Sequence, residues 1–240
     1  MQERDVEFVS GGRMFGGLFV EPDGAQTQAR PAVLVLHGGA GLSAHERERA
    51  RMLAGLGYPA YAPDIFGEVF TSREHGIATI TGLVGDPPGL RTRLADALAC
   101  MRAQPGVDAS RVAAIGFCFG GLAALELARG GADLRAVVSF HGGLVTRAPA
   151  APGAVKAGVL VCAGAADPFI TREHRSAFED EMTSAGADWQ LHVYGNAVHG
   201  FTEGRLADPK SARPGARYHE PSDRRSWAAM RGFLEERFTL

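Results

Sequence analysis

The sequence predicts an α/β domain in which helices cover both faces of a mostly parallel central sheet of about eight strands. Short runs rich in Val, Leu, Ile and Ala alternate with helical stretches, a pattern typical of parallel strands buried on both faces. The chain opens instead with a pattern that indicates an antiparallel hairpin. The sequence contains no repeat and no linker, so a single domain over residues 1–240 is expected.

The elements follow in order from these patterns. Strands Asp5–Ser10 and Gly17–Glu21, joined by Gly11-Gly12, form the predicted hairpin. Continuous apolar runs predict the later strands Ala32–Leu36, Tyr58–Ala62, Val112–Ile115, Ala136–Phe140, Val159–Ala163 and Gln190–Tyr194. Helical spacing predicts helices at His45–Leu56, Leu90–Gln104, Leu122–Arg129, Thr171–Ala185 and Asp223–Phe238. Two polar or Gly-rich stretches, Phe66–Gly89 and Gly200–Pro221, exceed ordinary loop length and are predicted to form a lid or pocket wall.

Composition narrows the class of protein. A formal net charge of −2 without blocks of like charge gives no surface for nucleic acid or anionic membrane. No apolar run approaches the length of a membrane span, and the charged N-terminus does not resemble a signal peptide. The 3 cysteines are widely spaced and form neither a disulfide framework nor a paired zinc motif. We expect a soluble cytoplasmic protein, monomeric or homodimeric, without a cofactor.

A nucleophile motif follows the run Val112–Ile115. The segment Gly116-Phe-Cys118-Phe-Gly120 matches the sharp turn between a strand and a helix on which hydrolases present a Ser or Cys nucleophile. Glycines are required in such a turn because any side chain would collide across it. A helix that begins near Phe119 would favour a thiolate through its N–H groups and dipole. The alternative is a tight turn that holds a buried thiol.

Two later strand ends carry the partners that a nucleophile needs, a base and an orienting carboxylate. Asp167 follows the strand Val159–Ala163, and His199 lies in a small-residue loop after Gln190–Tyr194. Taken alone, Asp167 could be a turn residue before proline and His199 a solvated loop residue. The order nucleophile, acid, histidine is that of hydrolases with this turn, and it predicts a Cys118–His199–Asp167 triad.

Electrophilic groups are predicted at the end of the first long strand, which reads Leu36-His37-Gly38-Gly39. A backbone N–H of Gly38 or Gly39 could stabilise an oxyanion together with the N–H of Phe119. A phosphate-binding loop is not favoured, since neither a Walker motif nor a dinucleotide fingerprint is present.

Further residues are candidates for the substrate pocket. Five aromatic or aliphatic side chains and two histidines at strand ends form this set: Phe66, Phe70, Ile80, Phe117, Phe201, His37 and His141. Core packing and local hydrogen bonding are the alternatives for them. The 8 histidines show no metal-binding spacing, so no metal site is predicted.

Nearly the whole chain resembles the dienelactone hydrolase family, cysteine-dependent members of the α/β-hydrolase fold. The resemblance rests on the hairpin, on the segments Gly57-Tyr-Pro-Ala-Tyr-Ala-Pro-Asp64 and Gly116–Gly121, on Asp167, and on Tyr194-Gly-Asn-Ala-Val-His-Gly-Phe201. It implies that Cys118 is the nucleophile, Asp167 the acid and His199 the base.

The sequence departs from the family pattern at two places. Founding members carry a glutamate where this chain has Gly38, and a substrate-binding arginine where it has Glu203, although Arg205 is nearby and is a further pocket candidate. These departures favour a broader esterase or lactonase over a strict dienelactone hydrolase. Two alternatives remain open: hydrolysis of activated esters that include phosphotriesters, and a redox-sensing or non-catalytic protein of the same fold.

Overall fold

The computed structural model describes residues 1–24, 28–211 and 213–240. Within these ranges, one sheet of eight strands has the order β1-β2-β4-β3-β5-β6-β7-β8. The strands are β1 Gln2–Ser10, β2 Arg13–Glu21, β3 Arg30–Leu36, β4 Ala60–Pro63, β5 Val107–Phe117, β6 Ala136–Phe140, β7 Gly158–Gly164 and β8 Trp189–Tyr194. The pairs β1/β2 and β2/β4 are antiparallel, and the other neighbours are parallel. The predicted mostly parallel sheet with an N-terminal hairpin is confirmed.

Helices cover both faces of this sheet. They are α1 Ala44–Gly55, α2 Arg73–Gly85, α3 Pro87–Arg102, α4 Phe119–Arg129, α5 Arg172–Ser184 and α6 Glu220–Thr239. Alternate residues of the central strands enter two separate cores, as the period of two requires: in β3, Leu34 packs with the α3 and α4 side and Val35 with the α1 and α6 side. No helix in the described ranges is long and apolar enough to cross a membrane.

Helix α2 corrects the interpretation of Phe66–Gly89 as a stretch without regular structure. Ser72 caps the helix by accepting a hydrogen bond from the N–H of His75 at 3.1 Å. Gly76 faces the Phe70 ring, and a Cβ there would lie 2.8 Å from Phe70 Cδ2, so this glycine has a packing role. The second stretch contains a short 3₁₀ helix, Gly204–Ala207, and the start of α6.

Candidate active site

Cys118 lies at the corner between β5 and α4 in a conformation that L-residues rarely adopt, with φ 54° and ψ −115°. A Cβ on Gly116 would lie 2.0 Å from the backbone oxygen of Gly120, and one on Gly120 would lie 2.1 Å from that of Leu36. The two glycines are therefore required by close backbone approach. The Cys118 N–H donates to Phe140 O at 3.0 Å, which ties the corner to β6.

The structure brings the three predicted triad side chains into one chain of hydrogen bonds. His199 Nε2 lies 3.2 Å from Cys118 Sγ, and His199 Nδ1 lies 3.0 Å from Asp167 Oδ2. The Asp167 side chain is fully buried, and its other oxygen accepts the N–H groups of Phe169 and Ile170 at 2.8 and 3.3 Å. The acid is thus fixed, and it orients the imidazole toward the half-buried thiol.

His199 is held in its charged form. Burial disfavours the imidazolium, but the hydrogen bonds to Asp167 and Cys118, together with their negative charges, outweigh burial and raise the pKa of His199 to about 10. This shift favours an imidazolium beside the sulfur in the resting protein.

The stability of the protein should reflect this shift. Because the folded pKa is raised from 6.5 to about 10, the stabilisation from protonated His199 should be complete below pH 6.5 and lost as pH rises toward 10. We expect the difference in Tm between the parent and His199→Gln to shrink over this interval. Thermal unfolding from about pH 6 to about pH 10.5 measures it. Parallel Tm curves for the two proteins would contradict the raised pKa.

The loop after β3 is held by hydrogen bonds on both sides of Gly38. The N–H of Gly38 donates to Glu46 Oε1 at 3.2 Å, and its carbonyl oxygen accepts from Gly41 N at 3.1 Å and from His37 Nδ1 at 2.8 Å. Of the two predicted oxyanion donors in this loop, Gly38 is therefore already engaged. Within the described part of the chain, the N–H groups of Gly39 and Phe119 have no acceptor.

Glu46 was missed by the sequence analysis, which expected no carboxylate beside Gly38. A Cβ on Gly38 would lie 3.5 Å from Cys118 Cβ and 3.8 Å from Glu46 Oε1, so α1 supplies a carboxylate beside Gly38. The segment Ser43-Ala-His-Glu46 is a capping box, and this signal could have indicated that Glu46 turns back toward the loop.

His37 does not line the pocket as predicted. It is fully buried, and its Nε2 accepts the N–H of Ile65 at 2.8 Å while Nδ1–H donates to Gly38 O. Nε2 thus ties the end of β3 to the residue that follows Asp64, and Nδ1 fixes the carbonyl group of Gly38 within the loop after β3. This arrangement makes the loop rigid, and it leaves neither ring nitrogen of His37 for a substrate.

Four more pocket candidates lie elsewhere. Phe117, Phe201 and His141 are at most 1% exposed and form a layer beneath the triad; His141 Nε2 bonds Thr202 Oγ1 at 2.8 Å and its ring meets the His199 ring at 5.2 Å. Arg205 pairs with Glu203 and lines a different cavity, of about 550 Å³, with His45. The strand or loop positions of these residues in the sequence do not fix the direction in which their side chains point.

The remaining pocket candidates surround the loop after β3. Phe66 and Phe70 line a cavity of about 520 Å³ beside Ala40–Leu42, and Ile80 Cδ1 would lie 3.2 Å from a Cβ on Gly39. A missed residue, Phe169, meets the His199 ring edge-on at 5.3 Å and is 55% exposed. Its place just after Asp167-Pro168 was the available signal.

Within residues 1–24, 28–211 and 213–240, no three His, Cys, Asp or Glu side chains are grouped so that they could hold a metal ion.

Several known proteins are similar to this chain. A solved structure described as the dienelactone hydrolase-like promiscuous phosphotriesterase P91 from metagenomic libraries is 42% identical, with a TM-score of 0.91 and coverage of 98% of each chain. An uncharacterised protein of Caenorhabditis elegans is 37% identical over 155 residues, which cover 62% of this chain and 94% of that protein. Carboxymethylenebutenolidase 1 of Cupriavidus pinatubonensis is 28% identical over 197 residues, or 77% of this chain and 80% of that protein.

The model of the dienelactone hydrolase family matches residues 15–238. This match spans the corner at Cys118, the loop after β3 and both later strand ends, so the resemblance noted from the motifs is confirmed over nearly the entire chain. The protein therefore belongs to the dienelactone hydrolase family within the α/β-hydrolase fold, and it is a hydrolase of ester or lactone bonds.

Proposed function

We propose that the protein hydrolyses activated carboxylic esters and lactones through a covalent Cys118 intermediate, with His199 and Asp167 completing the triad. The observation that carries this proposal is the unbroken chain of hydrogen bonds from Asp167 Oδ2 through His199 to Cys118 Sγ. A nucleophile, a base within hydrogen-bond reach and a third group that orients the base are the parts that acyl transfer needs.

In the first half of the reaction, the Cys118 thiolate attacks the substrate carbonyl carbon. The N–H groups of Phe119 and Gly39 stabilise the oxyanion that forms, since neither has an acceptor among the described residues. The C–O bond of the ester then breaks, and the departing oxygen takes the proton from the His199 imidazolium. The products of this half are an alcohol and a thioester on Cys118.

The second half requires His199 to become a base. Acylation removes the negative charge of Cys118, which is one of the causes of the raised pKa of His199. The pKa of His199 therefore falls, and the neutral imidazole can take a proton from water. The resulting hydroxide attacks the thioester, the C–S bond breaks, and the acid leaves as the thiolate–imidazolium pair returns.

The residue four positions after His199 favours substrates without a carboxylate. Founding family members carry a substrate-binding arginine there, whereas this chain has Glu203, whose carboxylate pairs with Arg205. The cavity of about 520 Å³ beside Ala40–Leu42 is not assigned to the substrate, because its lining includes none of the three triad residues.

Phosphotriester hydrolysis is a second candidate for the same site. It is supported by the 42% identity to P91, which is described as a promiscuous phosphotriesterase. A thiolate with oxyanion donors could attack a phosphoryl centre when the leaving group is good, because the donors would stabilise the oxygen on phosphorus as they do the oxygen on carbon.

A substrate panel tests the proposed order of preference. We expect kcat/KM to be highest for neutral p-nitrophenyl esters and lower by about tenfold or more for a lactone that carries a carboxylate, because Glu203 replaces the arginine that would bind this carboxylate. A neutral lactone of the same size is the matched control, and a diethyl aryl phosphate measures the second candidate. A carboxylate-bearing lactone that is the best substrate would contradict the proposed charge preference.

A cytoplasmic location is proposed as well. Its support is chemical: Cys100, Cys118 and Cys162 are all unpaired, as is typical of proteins in a reducing compartment.

A further inference from the structure

Glu46 is a buried carboxylate at the start of α1 that binds backbone groups on both sides of the loop after β3. The residue is 3% exposed. One carboxylate oxygen accepts the N–H and the hydroxyl of Ser43 at 3.1 and 2.6 Å, and the other accepts the N–H of Gly38 at 3.2 Å. A single side chain thus joins the first and last residues of the segment 38–43.

The hydrogen bond between Glu46 and the Gly38 N–H does not contribute to the capping of α1. Ser43 already caps α1 by accepting the N–H of His45 at 3.2 Å, and the Ser43–Glu46 contacts complete the capping box. The oxygen that reaches Gly38 instead points out of the helix to the strand end beside Cys118. A role beyond capping is therefore indicated.

The geometry links Glu46 to the N–H of Gly39. A peptide unit is planar and trans, so holding the carbonyl of Gly38 with His37 and Gly41 fixes the direction of the Gly39 N–H on the opposite side of the same plane. Glu46 holds the preceding peptide unit through the Gly38 N–H. Both peptide units that flank Gly38 are then held by hydrogen bonds, which opposes their rotation about the backbone.

The carboxylate is ionised in this position. Burial raises the pKa of Glu46, but the hydrogen bond from Ser43, the neighbouring His45 and the backbone bond from Gly38 outweigh burial and lower it below its usual value. A charged acceptor forms stronger hydrogen bonds with backbone N–H groups than a neutral one.

We propose that Glu46 is a positioning residue for the reaction, which holds the loop after β3 so that the N–H of Gly39 faces the oxyanion formed at Cys118. This inference rests on the proposed function. It assigns to Glu46 no contact with the substrate and no proton transfer. The requirement is reach: the side chain must be long enough to bind Ser43 and Gly38 together.

Two substitutions separate reach from charge. Glu46→Asp keeps the charge and can still cap α1, but it is one methylene too short to bind both ends of the loop. Glu46→Gln keeps the length: its amide oxygen can accept the Gly38 N–H, and its NH2 group can donate to Ser43 Oγ but no longer accepts the Ser43 N–H. With a p-nitrophenyl ester, we expect Glu46→Asp to lose about 10- to 100-fold in kcat with little change in KM. Glu46→Gln should stay within about fivefold of the parent, because its amide oxygen can still accept the Gly38 N–H.

A second readout is the rate at which iodoacetamide alkylates Cys118, which needs the thiol and His199 but no oxyanion donor. We expect this rate to be unchanged within about twofold in both variants. The matched control is Asp108→Ala, which removes a carboxylate near the start of β5, where Asp108 accepts the N–H of Ser110 at 3.0 Å. It should lower Tm and leave kcat at the parent value.

Three results would overturn the inference. Parent-like kcat in both Glu46 variants would reduce Glu46 to a helix cap, and a loss in Glu46→Gln with activity kept in Glu46→Asp would make charge the requirement. A parallel loss of kcat and alkylation would mean that the corner at Cys118 is disturbed as a whole. If Glu46→Asp does not fold, Glu46→Ala takes its place in this comparison, because it removes the bond to Gly38 while Ser43 still caps α1 through the His45 N–H. Parent-like kcat in Glu46→Ala would reduce Glu46 to a helix cap, and a loss beyond about tenfold in Glu46→Gln would contradict the requirement for reach. Absence of ester turnover in the parent would instead remove the proposed function itself.

Discussion

Replacing Cys118 by alanine is expected to lower kcat for p-nitrophenyl esters by at least about 10³-fold while the protein remains folded. Loss of the sulfur removes the covalent route, and what remains is the catalysis by oxyanion donors and substrate binding. The fold should persist because the substitution leaves the close glycine contacts of the corner untouched. Steady-state kinetics and circular dichroism measure the two parts of this expectation.

Substitutions at the other two triad positions test whether the three side chains act as one catalytic unit. His199→Ala and Asp167→Asn should each lose most of the turnover, and combining either with Cys118→Ala should cost little more, because the three groups act as one unit. Cys100→Ala is the matched control for a thiol: Cys100 lies on α3, its sulfur contacts the carbonyl of Glu7, and it is remote from the triad. Its removal should leave kcat unchanged.

The covalent intermediate can be observed directly. Rapid acid quenching of the parent during turnover of an acetyl ester, followed by peptide mass spectrometry, should find an acetyl group on the Cys118 peptide and none on the Cys100 peptide. If Cys118→Ala hydrolyses the ester as fast as the parent, the nucleophile has been assigned to the wrong residue.

The relative positions of the candidate triad could be predicted because parallel strands end at the same edge of a sheet. Cys118, Asp167 and His199 each follow a strand, and β5, β7 and β8 lie in one half of the sheet order. The position of each residue relative to a strand end was therefore sufficient to predict that the three side chains lie close together. Glycines around Cys118 added the local signal, since their close contacts leave no room for a side chain.

The pocket could not be predicted in the same way, because side-chain direction depends on register. Phe117 and Phe119 flank Cys118 in the sequence, yet Phe117 packs on the α1 and α6 side of the sheet and Phe119 on the α3 and α4 side. His37 and Glu46 were misjudged or missed for a related reason. Their roles depend on backbone groups of a loop, whose conformation leaves no periodic pattern in the sequence.

Replacing Gly116 by alanine should destabilise the protein by more than about 4 kcal/mol, or prevent folding, although the change adds one methyl group. The new Cβ would lie 2.0 Å from Gly120 O and 2.2 Å from Gly120 C, and both are backbone atoms of the corner. Relief would require β5 and the start of α4 to separate. That separation would break the contacts by which the Gly121 and Leu122 N–H groups bind the Cys118 carbonyl oxygen at 3.1 and 3.2 Å.

Gly232→Ala is the matched control, because Gly232 lies in the interior of α6 and a Cβ there would meet nothing within 4 Å. Alanine is the better helix former, so this variant should be more stable than the parent by about 0.5–1 kcal/mol. Urea unfolding followed by circular dichroism measures both variants. A Gly116→Ala protein within about 1 kcal/mol of the parent would mean that the corner can open without cost. The close approach of Gly116 to Gly120 would then not be what holds Cys118 in its unusual backbone conformation beside His199.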